Sequence, residues 1–388
     1  MTSLPSAETG AGQPSPASRA AAAALPLLFT LLGLVFASWA SRIPAIRDAL
    51  HLSAGQLGLA LLCAGIGGLA SFPLAAWIVA RHGPARAALC GGLALLLSLP
   101  CIGWSASVFA LMGALALLGA AASCFDVAIN AIGAIAEQRA GRSIMSLLHA
   151  WFCVGTVLGA LGGSAMASLG VSPRWHFGVL AAAMLPPLWY ACRYLVTPPP
   201  VRTAAGRGIG LPPRPLIVLG LLGFCGAIAE GGIADWSGVF MQDRIGAAAG
   251  VAPLAYAGFS AAMLGMRLVG DRFKDRFGAQ RVVAAGGVLA AIGIALALPG
   301  WHVGMTIAGF ALAGAGLAGV FPFVFSAAGR HGPTALAGVA TISYCGGLVG
   351  PPFIGFIAAA AGLTLALAIL VLLCVVMALT ALRARSLA

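Results

Sequence analysis

Three acidic side chains lie inside long apolar runs of the sequence: Asp126, Glu230 and Asp235. An ionised side chain in hydrocarbon costs at least about 2.5–3.5 kcal/mol, so acids at such positions are usually functional or paired with a base. A carboxyl group in a dry cavity also holds its proton more tightly, which suits it to exchange a proton near neutral pH. The three acids are therefore candidates for binding a polar solute or a proton.

Asp126 stands in the segment CFDVAINAIGA, four residues before Asn130. In a helix, this spacing places both side chains on one face. The pair could then form a site for a solute or a proton. The alternative is a structural pair between Asp126 and a basic group near the start of the next apolar run, such as His149 or Arg142. Both interpretations stay open at this stage.

Glu230 stands in CGAIAEGGIADWSGVF, and Gly231 and Gly232 follow it directly. Counted from Pro215 at about 1.5 Å per helical residue, Glu230 lies roughly 22 Å along its run, near or just past the middle of a bilayer. A glycine pair weakens a helix and can expose its backbone to a ligand. We interpret Glu230 as a substrate-binding or proton-coupling group. The alternative is a buried acid that stays protonated and only bonds a neighbouring helix.

Further candidates lie where apolar runs end. Asp235 does not share a helical face with Glu230, because five residues turn a helix by about 140°. We interpret Asp235 as a gate residue that pairs with Arg42 or Arg47. Trp39 and Arg42 stand three residues apart in FASWASRIPAIRDAL and face the same way. Trp39 could stack on a sugar ring or another planar solute, or could be an interface aromatic. For Arg42 we favour a gate or interface role over binding of an anionic substrate.

Two more polar side chains complete the candidate set. His149, in SLLHAWFCVG, could relay a proton or anchor its segment at the membrane boundary. Tyr344, in TISYCGGLVGPP, could offer its hydroxyl to a cavity or serve in packing.

The elements that position these side chains follow from the composition. The 388 residues are 61% hydrophobic and 8% charged, and the mean hydropathy is +1.03. Soluble domains carry roughly a quarter charged residues, so lipid is the solvent that suits this chain. The net charge of +12 is best explained by basic residues that anchor cytoplasmic loops, and not by binding of nucleic acid.

The sequence lacks the common signatures of enzymes and metal sites. The nine cysteines are scattered through apolar runs without a C-x-x-C pair, so we interpret them as small apolar helix residues and not as a disulfide framework or metal site. No G-x-x-x-x-G-K-[ST] phosphate loop, H-E-x-x-H zinc motif or G-x-S-x-G nucleophile motif is present. We therefore expect neither an enzyme, nor a cofactor, nor ATP-driven activity.

Apolar segments in the chain are long enough to cross a bilayer, which needs roughly 20 residues per helix. Residues 1–22, rich in Ser, Pro, Ala and Gly, are expected to be a disordered cytoplasmic tail and not a signal peptide. The Pro- and Gly-rich stretch 197–213 is the expected linker between a first half, 23–196, and a second half, 214–388. Twelve segments are predicted, at about 25–43, 55–80, 86–104, 107–135, 144–170, 175–196, 214–241, 251–270, 281–299, 302–327, 334–360 and 363–383.

The basic residues set the expected orientation. With both termini in the cytoplasm, the outer segments hold Arg42, Arg47, Arg174 and Arg244, which leaves 17 of the 21 Lys and Arg residues for the inner segments. The positive-inside rule selects this orientation. An odd number of helices would remove the asymmetry.

A charged stretch between two of the segments carries a longer pattern. Leu264 to Arg281 reads LGMRLVGDRFKDRFGAQR. It resembles the loop signature of the major facilitator superfamily, which lies between the second and third helix of each six-helix half. A weaker copy, ARHGPAR, occurs in the first half, where Ala80 stands in place of the usual acid. The resemblance implies an all-α membrane protein with twelve transmembrane helices in two pseudo-symmetric six-helix bundles.

In this family the loop is assigned to conformational switching, and the resemblance transfers that role to Gly270, Asp271, Arg272 and Gly278. Arg272 and Arg276 are placed to reach Asp271. Such charge-assisted bonds can hold the cytoplasmic side shut and break when it opens.

The resemblance further implies a secondary transporter of the bacterial inner membrane, monomeric, that moves a small organic solute by alternating access. Glu230 or Asp126 would take up a proton. The isolated acids, Asn130 and Trp39 favour import of a sugar-like solute. The glycine-rich fifth segment favours the alternative, export of drugs or metabolites by proton antiport, although the proline of the exporter signature is absent. A non-transporting membrane sensor is a remote alternative.

Overall fold

The computed structural model describes residues 16–140, 144–195 and 214–387, and in these ranges the chain is helical without a strand. This confirms the all-α prediction. The helices are α1 (Pro16–Ala49), α2 (Ala54–His82), α3 (Pro84–Gly103), α4 (Val108–Ala140), α5 (Met145–Ser168), α6 (Pro173–Tyr194), α7 (Arg214–Ile245), α8 (Leu254–Phe277), α9 (Ala279–Ala297), α10 (Val303–Leu317), α11 (Val320–Gly329), α12 (Pro333–Ala361) and α13 (Leu363–Arg383), followed by a short 3-10 helix (Arg385–Leu387).

The first and tenth predicted segments differ from the expectation. The tenth predicted segment consists of two helices, α10 and α11, which are separated at Ala318 and Gly319. Helix α1 begins at Pro16, inside the segment expected to be a disordered tail. The alanine run 20–24 explains this extension, because alanine has the highest helix propensity. The rest of the predicted tail and the predicted linker 197–213 lie outside the described residues.

Within the part of the chain that the structure describes, ten stretches of helix are long and apolar enough to cross a membrane, counting α10 and α11 as one. The other two predicted spans are α6 and α8, with 22 and 24 residues. At about 1.5 Å per residue they also reach across a bilayer of about 30 Å. Helix α8 falls below the hydropathy of the others because its last turns carry the charged stretch.

The helix packing repeats between the two halves. Helix α1 packs on α5 and α6, and α7 packs on α12 and α13. Likewise, α4 packs on α2 and α3, as α10 packs on α8 and α9. The two six-helix bundles are therefore pseudo-symmetric. They meet along two seams, α2 with α12 and α5 with α8, and α1 adds a contact with α7.

The helices run between two ends of the molecule, which we call the terminal end and the far end. The terminal end holds the start of α1, the turns at Gly83 and Gly278, and the end of α13. The far end holds the turns that follow Ala49, Ser168 and Ile245.

Glycines allow the inner helices to pack backbone to backbone. A Cβ atom built on Gly155 of α5 would lie 2.1 Å from the Thr30 carbonyl oxygen of α1. The equivalent atom on Gly346 of α12 would lie 2.3 Å from the Phe224 carbonyl oxygen of α7. Helices in lipid associate by such close packing, since no water is expelled between them. Packing alone therefore accounts for these two glycines.

The charged stretch of the second half is helical, not a loop as predicted. Helix α8 continues to Phe277, and the connection to α9 is Gly278 alone, with φ +82°. In the first half Gly83, with φ +83°, connects α2 to α3 in the same way. Only glycine adopts this backbone region freely, so one residue suffices to end one helix and begin the next.

Candidate functional site

The first polar cluster lies at the seam between α5 and α8. Arg267 of α8 donates a hydrogen bond from Nη1 to the Cys153 sulfur of α5, with an N–S distance of 2.9 Å. The charge of Arg267 also acts on Glu230 of α7 and on His149 of α5. Four side chains from three helices and both halves thus form one electrostatic group, which we call the arginine cluster: His149, Cys153, Glu230 and Arg267.

The arginine cluster lies at mid-depth, and three of its side chains are at least partly accessible. At about 1.5 Å per residue, Glu230 is about 22 Å from the far end of α7 and Arg267 about 15 Å from the terminal end of α8. Glu230 and Arg267 are both half-buried, and His149 is exposed. The His149 ring meets the Phe29 ring edge-on, with centroids 5.4 Å apart.

The guanidinium of Arg267 keeps unused hydrogen-bonding capacity. Its Nε atom is buried and has no hydrogen-bond partner among the described residues. Glu230 and Arg267, both in the described part of the chain, form neither a hydrogen bond nor a direct ion pair with each other, although their charges interact. Arginine remains charged in proteins, so its position favours a nearby anion.

The second polar cluster lies at the other seam, between α2 and α12. On α4, Asn130 donates from Nδ2 to the Asp126 backbone carbonyl at 2.9 Å and to Asp126 Oδ1 at 2.8 Å. Tyr344 of α12 is within electrostatic range of Asp126. Its ring stacks on Phe72 of α2 at 6.5 Å and meets Phe325 of α11 edge-on at 6.0 Å. We call this group of residues the tyrosine cluster.

The structure therefore places the two residues that were predicted to share a helical face in direct contact. Asp126 uses Asn130 of its own helix as its hydrogen-bond partner, and His149 belongs to the other seam. The predicted structural pair of Asp126 with His149 is thus not formed. The other proposed partner, Arg142, lies outside the described residues.

Trp39 is buried and belongs to neither polar cluster. Its side chain is 2% exposed and belongs to the hydrophobic core of the first half. In this conformation the ring is available neither to a solute nor to the lipid interface, because it points into the packed bundle.

The predicted pairing of Asp235 with Arg42 or Arg47 is wrong. Arg42 donates from Nη1 to the Gly163 carbonyl at 3.4 Å and from Nη2 to the Val171 carbonyl at 2.5 Å. Arg42 therefore bonds one carbonyl group inside the last turns of α5 and one in the turn that follows α5. Asp235 is 7% exposed on α7, and Arg47 pairs elsewhere.

Arg47 forms the ion pair that joins the two halves at the far end. Its Nη1 and Nη2 atoms donate to Asp243 Oδ2 and Oδ1 of α7 at 2.6 and 2.7 Å. Nearby, the Ser164 hydroxyl of α5 donates to the Gly250 carbonyl of the second half. These contacts join the two halves at the far end of the molecule.

The predicted latch at the terminal end is not formed. Asp271, Arg272 and Arg276 are exposed, and in the described part of the chain Asp271 makes no ion pair. The Arg276 guanidinium lies over the Phe277 ring at 5.3 Å. Gly270 lies beside the Phe323 ring.

Sequence reasoning overlooked Arg267. The residue stands in LGMRLVG, among apolar neighbours, so the criterion that singled out Glu230 also finds it. Sequence reasoning also missed the pairing of Arg47 with Asp243, because the two residues are distant in sequence. Among the described residues, no group of three or more His, Cys, Asp or Glu side chains could hold a metal ion.

Comparison with known protein families gives one match over most of the chain. The sequence model of the Major Facilitator Superfamily matches residues 25–344. An uncharacterised MFS-type transporter of Yersinia pestis is 35% identical over 368 residues, which are 92% of this chain and 93% of that protein. An uncharacterised transporter of Sinorhizobium fredii is 34% identical over 343 residues, covering 87% and 91%. The membrane protein MosC of Rhizobium meliloti is 30% identical over 378 residues, covering 94% and 90%.

Solved structures of low sequence identity share the fold. A mutant of the nucleoside transporter NupG superimposes with a TM-score of 0.74 at 12% identity, over 94% of this chain and 100% of that chain. A bacterial homologue of the human lysosomal transporter Spinster, in an inward-facing and occupied conformation, superimposes with a TM-score of 0.74 at 17% identity, over 96% and 97%.

Proposed function

The chain belongs to the major facilitator superfamily and is a membrane transporter, and from this premise we propose that it carries a small, sugar-like polar solute by alternating access, driven by protons. The observation that carries the proposal is the pair of polar clusters, one at each seam between the halves. A site between two halves that rock against each other can face either side of the membrane in turn.

The tyrosine cluster supports a hydroxyl-bearing solute. Asp126 and Asn130 together offer acceptors and donors for hydroxyl groups. The neighbouring rings of Tyr344, Phe72 and Phe325 offer apolar surface for the face of a sugar ring. A few convergent polar groups beside aromatic rings are typical of small-molecule sites. Trp39 takes no part in this site.

Glu230 is the proposed proton carrier. It is a partly accessible acid at mid-depth, and its partner Arg267 donates a hydrogen bond to Cys153 of the opposite half. Protonation of Glu230 would weaken its attraction to Arg267, which links the proton to the seam between α5 and α8. His149 on that seam is a candidate to pass the proton towards the terminal end. Asp126 is the alternative carrier.

We place the terminal end in the cytoplasm of a bacterial cell, with the protein in the inner membrane. Sixteen of 21 Lys and Arg residues then lie on the cytoplasmic side, four lie on the outer side, and Arg267 lies within the membrane, a distribution that follows the positive-inside rule. Each chain contains both halves and both seams, so a monomer suffices for transport.

In this orientation the structure corresponds to a state closed towards the outside. The ion pair of Arg47 with Asp243 is the proposed outer gate, in place of the pair that was predicted for Asp235. In the opposite state, the terminal end closes. Asp271 would then pair with Arg272 or Arg276, and Gly270 would allow α8 to approach its neighbour.

The test is transport in proteoliposomes with a panel of sugars and sugar derivatives, with and without a pH gradient. Glu230→Gln should abolish accumulation driven by the gradient, while exchange of labelled for unlabelled solute continues, because exchange needs no net proton movement. Asp48→Asn, at an exposed carboxylate of α1 outside both polar clusters, is the matched control and should accumulate solute normally. Accumulation that persists unchanged in Glu230→Gln would show that this acid does not couple transport to protons.

The same assay decides the direction. Export driven by proton uptake would appear as solute loss against its gradient, and would favour the antiporter alternative. The glycine-rich α5 gives that alternative no independent support, since Gly155 is required for packing against α1.

A further inference from the structure

We infer that the transported solute carries a negatively charged group, such as the carboxylate of a sugar acid, and that Arg267 binds it. The inference rests on the proposed function, because it assigns a chemical class to the solute of the same central site. It names Arg267 as the group that determines specificity for charge.

The first step is the state of Arg267. Its guanidinium is charged at any working pH and lies in the middle of a membrane helix. The hydrogen-bond partner it has among the described residues, the Cys153 sulfur, is a weak acceptor. Its Nε atom is buried without a partner. A carboxylate that accepted from this fork would satisfy donors that the protein leaves unsatisfied.

The second step is the position of Glu230. This acid is close enough for its charge to interact with that of Arg267, but the two do not bond directly. The other titratable groups whose charges act on Glu230 or Arg267 are His149 and Cys153 of α5 and Tyr256 of α8. None of them carries a fixed negative charge. A solute carboxylate would therefore compete with Glu230 alone for the one permanent cation of the cluster.

This competition gives coupling with a balanced charge. When the solute anion binds Arg267, Glu230 takes one proton from the solution on the side that is open, and the cluster keeps its net charge. When the anion leaves, Glu230 releases that proton and again neutralises Arg267. One anion and one proton thus move together, and no covalent bond forms or breaks. Keeping the cluster neutral in both steps avoids the cost of an extra charge in a site of low dielectric constant.

The two clusters are suited to opposite ends of one molecule. Arg267 lies about 15 Å from the terminal end of α8, and Tyr344 lies about 16 Å from the terminal end of α12, so both are at the same depth. The arginine cluster would bind the acid group. Asp126 and Asn130 would bind hydroxyl groups.

The test is a binding assay with purified protein in lipid nanodiscs, read as thermal stabilisation and as heat of binding. The probes are matched sets on one carbon frame: glucose, glucuronate and glucosamine; galactose, galacturonate and galactosamine; and the open-chain gluconate with sorbitol. We expect an acid to bind at least about tenfold more tightly than its neutral and cationic counterparts. Binding of a neutral or cationic member as tightly as the acid, or no binding of any acid, overturns the inference.

Four variants, one of them a control, separate the roles. Arg267→Gln should weaken binding of the acid about tenfold or more, and Arg267→Lys should restore part of it. Arg193→Gln, at an exposed arginine in the last turn of α6, is the matched control and should bind normally. Glu230→Gln mimics the protonated carrier, so it should bind the acid with an affinity that no longer falls as the pH rises. Unchanged pH dependence in Glu230→Gln contradicts the competition, even if the Arg267 variants prove unstable.

The outcome also distinguishes this inference from the proposed function. If accumulation depends on Glu230 but the solute is neutral, the anion assignment fails alone. If the acid binds through Arg267 but moves without proton coupling, the proposed coupling fails alone.

Discussion

Loss of the ion pair between Arg47 and Asp243 should shift the protein towards conformations that are open at the far end. The pair joins α1 of one half to α7 of the other through two bonds of 2.6 and 2.7 Å. Its side chains are 16% and 45% accessible, so water screens the attraction. We therefore assign it about 1 kcal/mol, the upper part of the range for exposed pairs. Since 1.4 kcal/mol is a factor of ten, the open-to-closed ratio should rise about fivefold in Asp243→Asn.

The populations can be measured by distances between two spin labels. Leu169 and Ala248 are both exposed at the far end and lie in opposite halves, so cysteines introduced there, in protein freed of its native cysteines, report opening as a longer distance. Asp48→Asn is the matched control. Asp48 also accepts from Arg47, at 3.0 Å, but stands on the same helix. Equal distance distributions in the unsubstituted protein and in Asp243→Asn would refute the gate, as would an equal shift in Asp48→Asn.

Two further predictions concern stability. Gly155→Ala should lower the free energy of unfolding by about 1–3 kcal/mol, because the added methyl group collides with the Thr30 carbonyl. Gly162→Ala, where nothing lies within 4 Å, is the control and should leave the midpoint of thermal unfolding in detergent unchanged. Equal midpoints for Gly155→Ala and the unsubstituted protein would contradict the packing argument. Glu137 accepts a hydrogen bond from the backbone amide of Ile144 at 2.8 Å, at the start of α5. Glu137→Ala should therefore lower the free energy of unfolding by about 1 kcal/mol, and Glu137→Gln should lower it less. Urea unfolding of the two variants measures the difference, and no loss of stability in either would show that the contact does not stabilise α5.

Local patterns in the sequence were sufficient for the helices and for contacts within a helix. Apolar runs of membrane-spanning length predicted the spans, because the bilayer sets their length and forces the backbone to bond internally. The contact of Asp126 with Asn130 followed from their four-residue spacing. The end of α8 was misplaced, because charged residues continue a helix as well as apolar ones do, and only Gly278 ends it.

Contacts between distant segments depended on tertiary structure. Nothing near Arg42 in the sequence shows that its guanidinium donates hydrogen bonds to the carbonyl groups of Gly163 and Val171. The sequence likewise does not show that Arg47, five residues on, pairs with Asp243. Trp39 stands beside these polar residues, yet the rotation of α1 in its bundle turns the ring into the core. The sequence by itself determined that this is a helical membrane protein with rare internal charges. The packing of the two halves decided which of those charges meet, because neutralising a charge in lipid depends on neighbours brought together from other helices.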